Sequence, residues 1–403
     1  MMKFYDEIPM VFEYFPDDYN NNVEGWGIPK TQLHAKLDDG TYQLQTLDID
    51  YGDNCSLRCP HCFKRTFLQK EVQSQKLTEK ELMEVIMQAK ELGLKSIKVL
   101  GAGEPFENRS FLGFLEKVSA LDIHTCIFTK GHVLGDDGLA CKYNSIYGIK
   151  TAKELVERLF SLQTSILLGF NSFYKEMQLA YCGLPDDDKF DYYSYRNQTL
   201  VNLVGAGFSS YVQGGMTRMA LIASPYKLEN IEEIVELFKW GRSRNIYVVT
   251  CPSTLSGNGH TEVDRFISRY TIDYFLEKSI ELYTRIYIWS IERNLIKMDD
   301  FIEDGVSLYP GAHPCNQVAA GMYIIIDGKV VRCPGNDSHQ NIICEDIRKK
   351  NLKEVWTNSF NYSYAEDEDR FNFHCVARDN KLFNVTTFYD QIYRNVMDHF
   401  GRI

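Results

Sequence analysis

From Leu47 onward, short apolar runs alternate with stretches whose apolar residues recur at helical spacing, the pattern of repeated parallel βα units. The runs 47–51, 96–100, 125–129, 165–170, 216–222 and 245–250 predict six strands. Helices are predicted between them. Thr78 with Glu81 and Thr151 with Glu154 have capping-box spacing, as does Asn230 with Glu233. Leu82, Val85, Ile86 and Ala89 form one apolar stripe, and Ile231, Ile234, Val235 and Phe238 another. Six parallel strands are too few for the usual eight-stranded closed barrel. The expected fold is α/β: a partial (βα)6 TIM-like barrel whose loops gather on one face, at the C-terminal ends of the strands.

The flanks read differently. Residues 1–46, with Asn20-Asn21-Asn22 and the Gly25, Gly27, Pro29 cluster, predict an irregular arm draped over the core. The barrel is expected over 47–260 and a helical connector over 261–308. Residues 309–403 begin a different region: Met322 to Ile326 and Lys329 to Arg332 flank Asp327-Gly328, a β-hairpin signal, and an amphipathic Leu352 to Trp356 follows.

Composition places the 403-residue chain among globular proteins, at 44% hydrophobic and 25% charged. A net charge of −11 argues against general binding to a nucleic-acid backbone. The N-terminus lacks the basic start and apolar stretch of a secretory signal, and no apolar run has membrane-spanning length, so the expected location is cytoplasmic. Eleven cysteines in a reducing compartment are then expected as thiols or metal ligands.

Their distribution changes the picture. Cys55, Cys59 and Cys62 stand C-x3-C-x2-C directly after the first strand. Three thiolates from one loop can hold three irons of a [4Fe–4S] cube and leave the fourth iron open. Structural zinc wants four closed ligands, usually as two separated C-x2-C knuckles, and no second knuckle exists here. Cysteines packed as small hydrophobes have no reason to cluster so tightly.

On these residues the sequence resembles the radical S-adenosylmethionine (SAM) superfamily. The resemblance implies that the open iron chelates the SAM amino and carboxylate groups, and that an electron from the cluster breaks a carbon–sulfur bond. The resulting 5′-deoxyadenosyl radical takes hydrogen from unactivated carbon, reactivity that side chains do not supply. Gly101-Ala102-Gly103-Glu104 is similar to the family's glycine-glycine-glutamate motif, with Ala102 between the glycines, and implies that Gly101, Gly103 and Glu104 meet the SAM ammonium. Asn171 and Ser172 stand where the family presents polar groups to the SAM ribose. Arg218 is expected to meet the SAM carboxylate, which its guanidinium matches as a fork.

The 310–375 region resembles the SPASM and twitch extensions of the superfamily, which carry auxiliary iron–sulfur clusters. Cys315 and Cys333 fit the opening of that pattern, and Cys344 and Cys375 are further candidate ligands, leaving three or four thiolates open. The later dense cysteine block of SPASM is absent, so the twitch pattern is the closer match. Cys251, at the end of the sixth strand, is either a packing residue or a thiol returning hydrogen to a substrate radical. Cys126, Cys141 and Cys182 are expected as packing or incidental thiols.

The implied activity acts on an unactivated C–H of a small metabolite, by dehydrogenation, epimerisation or rearrangement. The alternative is a maturase of ribosomally made peptides. The 46-residue arm is too short for a peptide-recognition domain of about 80 residues, which favours the metabolite. A reducing partner such as a flavodoxin or ferredoxin is implied. A non-catalytic iron–sulfur carrier is the rival class; it needs neither the Gly101 loop nor the barrel.

Overall fold

Six strands run parallel and lie in chain order: β1 (Thr46–Ile49), β2 (Ser96–Val99), β3 (His124–Thr129), β4 (Thr164–Gly169), β5 (Met219–Ile222) and β6 (Tyr247–Val249). The computed structural model describes residues 3–28, 30–62, 76–185, 190–223, 231–250, 271–310, 317–334, 341–366 and 385–402. Cys251, Cys315, Cys375 and Asn230 lie outside them. Among the described residues the sheet is open, because β6 is an edge and β1 pairs with β2 on one side and β7 on the other.

Alternation along the strands explains why both faces are buried. Ile127, Ile166, Leu168, Leu221 and Val248 join the large core with the flanking helices. Their neighbours Cys126, Leu167, Ala220, Tyr247 and Val249 form a second cluster on the opposite face, joined by Val23 of the N-terminal arm. Cys126 is thus a packing residue.

Local chemistry fixes the helices. Glu79–Glu91 begins at a complete Thr78/Glu81 capping box and buries Leu82, Val85, Ile86 and Ala89. Ala152–Ser161 begins at the Thr151/Glu154 box. Ile272–Glu292 supplies the long connector helix. Two further helices, His132–Gly135 and Asp137–Asn144, lie on either side of Asp136.

The arm covers the entrance of the sheet, at the N-terminal ends of its strands. Val23 bridges to Thr217 just before β5. Gly25, at φ +75°, lies flat on the start of β3, where a Cβ would sit 2.1 Å from the His124 ring. Lys98 and Asp48, opposite each other on β2 and β1, form a buried ion pair at 3.0 Å, and the Trp26 ring lies 5.2 Å from the ammonium.

The C-terminal hairpin continues the same sheet. β7 (Gly321–Ile324) runs parallel to β1, then β8 (Val330–Val331) and β9 (Ile342–Cys344) add antiparallel strands. Asp50 joins the two parts: its carboxylate accepts from Tyr323 Oη at 2.6 Å and from Ile326 N at 3.0 Å. Helix Leu352–Thr357 then seats Trp356, fully buried, whose indole donates to Tyr42 O at 2.8 Å.

Candidate active site at the C-terminal ends of the strands

Parallel strands deliver their following loops to one face, and here four loops meet. The Cys55–Cys62 loop follows β1, Gly101–Glu104 follows β2, Lys130 follows β3, and Asn171-Ser172 follows β4. Cys55 is solvent-facing, Cys62 half-buried and Cys59 buried.

The β2 loop is the floor under the cysteine loop. Glu104 N donates to Asn54 O at 2.7 Å. Gly103 admits this approach, since a Cβ there would sit 2.2 Å from Asn54 O. Gly101, at φ +73°, makes the preceding turn. Glu104 itself is buried and committed to β3: its carboxylate accepts from Thr129 Oγ1 at 2.5 Å and from Lys130 N at 2.8 Å. Burial raises its pKa, with the nearby His132 opposing. The structure therefore brings Glu104 to the site, where its carboxylate brackets two strand ends.

A second carboxylate, not singled out by the sequence, holds the cysteine loop directly. Glu107 accepts from Ser56 N at 2.9 Å and Ser56 Oγ at 3.0 Å, and its Oε1 lies 2.7 Å from His132 Nε2. Its only sequence signal is its place in the turn Pro105–Glu107 that follows Glu104.

Lys130 supplies positive charge among the sulfurs. Burial alone would lower its pKa, but Cys59, Cys182, Cys62 and Cys55, in that order, outweigh burial and raise it. Cys182, expected as an incidental thiol, belongs to this group. It ends helix Lys175–Cys182, is fully buried, accepts from Gln178 Nε2 at 3.7 Å and shares one buried cluster with Cys59. Nothing local in the sequence announces its place beside Cys59.

Asn171 and Ser172 reach the same face and are fixed from below. Both backbone N–H groups donate to Gln178 Oε1, at 2.9 and 3.1 Å, and Ser172 Oγ donates to Glu233 at 2.6 Å. Arg196 Nη1 donates to Ser172 O at 3.1 Å while its guanidinium stacks 3.6 Å from the Phe170 ring centroid.

Arg218 is not part of this assembly. It precedes β5, at the entrance of the sheet, and so lies at the other end of the strands. Its Nε and Nη2 donate to Thr164 O at 3.0 and 2.8 Å, Nη2 also reaches Phe160 O, and the Phe160 ring lies 4.2 Å away. The expectation of a SAM-carboxylate contact is corrected: those donors are spent on backbone carbonyls. Cys344 sits at 5% exposure in the main core beside Val330, its partner across β8 and β9, in the position of a packing residue. Cys333 follows β8 and is half-buried.

The donor set fits an iron–sulfur cluster by its chemistry: three thiols on one anchored loop, beside a cation that offsets thiolate charge. Among the described residues, no three His, Cys, Asp or Glu side chains close into a ready metal cage. Also among the described residues, no helix is long and apolar enough to cross a membrane.

Comparison with known proteins agrees with this geometry. The sequence profile of the radical SAM superfamily matches residues 49–190. The chain is 22% identical over 317 residues to PqqA peptide cyclase of Rhizobium meliloti (strain 1021), covering 78% of this chain and 74% of that one. It is 31% identical over 83 residues to GTP 3′,8-cyclase of Peptoclostridium acidaminophilum, covering 21% of this chain and 25% of that one. Among solved structures, polyhistidine-tagged anSMEcpe with bound AdoMet superposes at a TM-score of 0.55, with 13% identity over 89% of this chain and 98% of that one. The sheet, the cysteine loop and the matched profile agree on one reading: residues 49–190 are a radical SAM domain, the domain of a superfamily of iron–sulfur enzymes.

Proposed function

We propose that this enzyme modifies a peptide, abstracting hydrogen from an unactivated C–H of one of its residues. The observation that carries this is the breadth of the likeness to PqqA peptide cyclase, 74% of that protein, against 25% of GTP 3′,8-cyclase. A small metabolite is the second candidate, with the narrower cyclase likeness as its support.

Cys55, Cys59 and Cys62 would hold a [4Fe–4S] cluster with one open iron, and the backbone of Gly101 to Gly103 with Asn171 and Ser172 would border SAM. When bound, the cluster and SAM supply reductive carbon–sulfur cleavage and hydrogen-atom abstraction. The chain's own task is positional: Glu104 and Glu107 hold the cysteine loop against β2 and β3, and Lys130 balances thiolate charge. An auxiliary cluster on Cys315, Cys333 and Cys375, and electrons from a flavodoxin or ferredoxin, complete the proposal. So does the division into a barrel over 47–260 and an auxiliary region over 309–403.

The test uses anaerobically reconstituted protein with SAM and dithionite. Release of 5′-deoxyadenosine is expected in wild type and not in Cys59→Ala. Short peptides encoded beside the gene should stimulate that release and change mass in a SAM-dependent manner. Stimulation by a nucleotide or another small metabolite, with none by the peptides, would transfer the assignment to the second candidate.

A further inference from the structure

On the entrance side of the sheet, at the opposite strand ends from the cysteine loop, the surface holds a cleft of about 490 Å³. That volume lies in the range that takes a small ligand. One wall is the arm over residues 17–22, just before Val23 bridges to Thr217. The other comes from residues 294–305, which follow the long helix Ile272–Glu292.

The chemistry of these walls suits a cation. Asp17, Asp18, Asp300 and Asp304 line the cleft, against one basic side chain, Lys297. Asp18 is braced, because its carboxylate accepts from Tyr211 Oη at 2.6 Å. The turn after the long helix has no spare backbone donors in its first three residues. Asn294 N is spent on Ile291 O at 3.0 Å, and Leu295 N and Ile296 N on Ser290 O at 2.9 and 3.3 Å. That turn also stands at a helix C-terminus, where the macrodipole is negative.

Asn21 is an independent sign of a ligand. It lines the cleft, is only 8% exposed, and donates through Nδ2 to Leu295 O on the other wall. A carbonyl can only accept, so the amide nitrogen must face Leu295 and Oδ1 must face away from it. No donor among the described residues reaches that oxygen. A buried acceptor without a donor is rare and costly, and a ligand bearing N–H groups supplies the donor that the wall lacks.

Buried rings narrow the ligand further. Tyr287 and Phe301 line the cleft with ring centroids 5.2 Å apart, and the Tyr287 hydroxyl is already occupied by Ser307 N and Ser307 O at 2.7 and 3.0 Å. Rings beside carboxylates suit methylene chains that end in ammonium groups. A bare divalent ion fits less well, since among the described residues no three His, Cys, Asp or Glu side chains converge to hold one.

We propose that this cleft binds a linear polyamine, an alkyl chain bearing two or more ammonium groups, which ties the N-terminal arm to the end of the long helix. Lysine side chains of a peptide carry the same chemistry, and the test separates the two sources.

The experiment is isothermal titration calorimetry of anaerobically reconstituted full-length protein with spermidine and, separately, with a blocked trilysine peptide, read together with hydrogen–deuterium exchange. Spermidine should bind at one site with a Kd below ~1 mM at ~50 mM salt and weaken as salt is added. It should slow exchange over residues 17–22 and 294–305. Asp300→Asn, at an exposed position, should weaken binding about threefold, and Asp17→Asn combined with it about tenfold. Asp390→Asn, an exposed carboxylate outside the cleft, should change it less than about twofold. Equal weakening by Asp390→Asn and Asp300→Asn would mean general attraction to an acidic surface and overturns the proposal. So does an absence of saturable binding, or slowed exchange only outside the two segments. Tighter binding by the trilysine peptide than by spermidine overturns the polyamine as the occupant, and displacement of spermidine by an equal concentration of magnesium overturns it in favour of a metal ion.

Discussion

Glu107 and His132 form a buried pair, 4% and 1% exposed, with Oε1 and Nε2 at 2.7 Å, and the pair holds the cysteine loop at Ser56. Burial alone would raise the Glu107 pKa, but bonds from His132 and Ser56 outweigh it and lower it, so the group is a carboxylate. Glu107→Ala would leave Ser56 N and the His132 ring without their acceptor. A loss of about 1–3 kcal/mol in unfolding free energy is expected, read by urea denaturation. Iron retained after reconstitution should fall as well. Glu107→Gln, which keeps the shape and one acceptor oxygen, should lose less of both.

Gly103 makes a second, sharper prediction because its constraint is space and not backbone conformation. An added methyl would meet Asn54 O at 2.2 Å and Asp53 C at 2.6 Å, both backbone atoms of the cysteine loop. Relief requires moving that loop, at a cost of about 1–3 kcal/mol. Gly103→Ala should weaken SAM binding about tenfold, some 1.4 kcal/mol, in equilibrium dialysis. Gly205→Ala is the control: nothing lies within 4 Å of the position, and SAM affinity should be unchanged.

Features specified by nearby residues are legible in the sequence, and features made by distant ones are not. Two of the three capping-box pairs, at Thr78 and Thr151, form as their spacing predicts, and the third, at Asn230, lies outside the described residues. The second strand, read as 96–100, forms over Ser96–Val99. The helices around residues 132–144 are hard to read because Gly135 and Gly138 weaken the helical pattern. Gly135 is needed for packing, since a Cβ there would sit 1.8 Å from Tyr195 O. Arg218 reads as a site residue because the apolar run begins at Met216, whereas pairing begins at Met219 and leaves Arg218 at the sheet entrance. Cys182, Glu107 and Lys130 gain their meaning only when three separate strand ends converge. The hairpin at Asp327-Gly328 is legible as a turn, but its parallel pairing with β1 depends on Asp50, far away in the chain.

The relocation of Arg218 is itself testable. Arg218→Gln removes the donors to Thr164 O and Phe160 O and the cation beside the Phe160 ring. A stability loss of about 1–3 kcal/mol is expected, because the carbonyl of buried Thr164 loses its charged donors. SAM affinity should remain within about twofold of wild type, less than 0.5 kcal/mol. A large loss of SAM binding with unchanged stability would restore the carboxylate-binding role.

Arg218 also acts on the pH dependence of stability, through His124. Burial first, and the Arg218 charge second, hold the His124 pKa down to about 4, with the bond to Glu24 opposing. The unfolded chain should titrate near the ordinary histidine value of about 6.5. Between those two values the unfolded state binds a proton that the folded state refuses, so stability falls as the pH falls. The neutral ring fits its surroundings: Nε2 lies 2.9 Å from Ser165 Oγ, and Gly25 packs against it. From pH 7 to pH 5 the contribution lost is about 2 kcal/mol. Urea midpoints at the two pH values measure it, and His124→Gln should flatten the difference by that amount. Arg218→Gln should flatten it partially, because removing the positive neighbour lets His124 take up its proton at higher pH in the folded state. If His124→Gln leaves the pH 7 to pH 5 difference as steep as in wild type, another group governs acid stability.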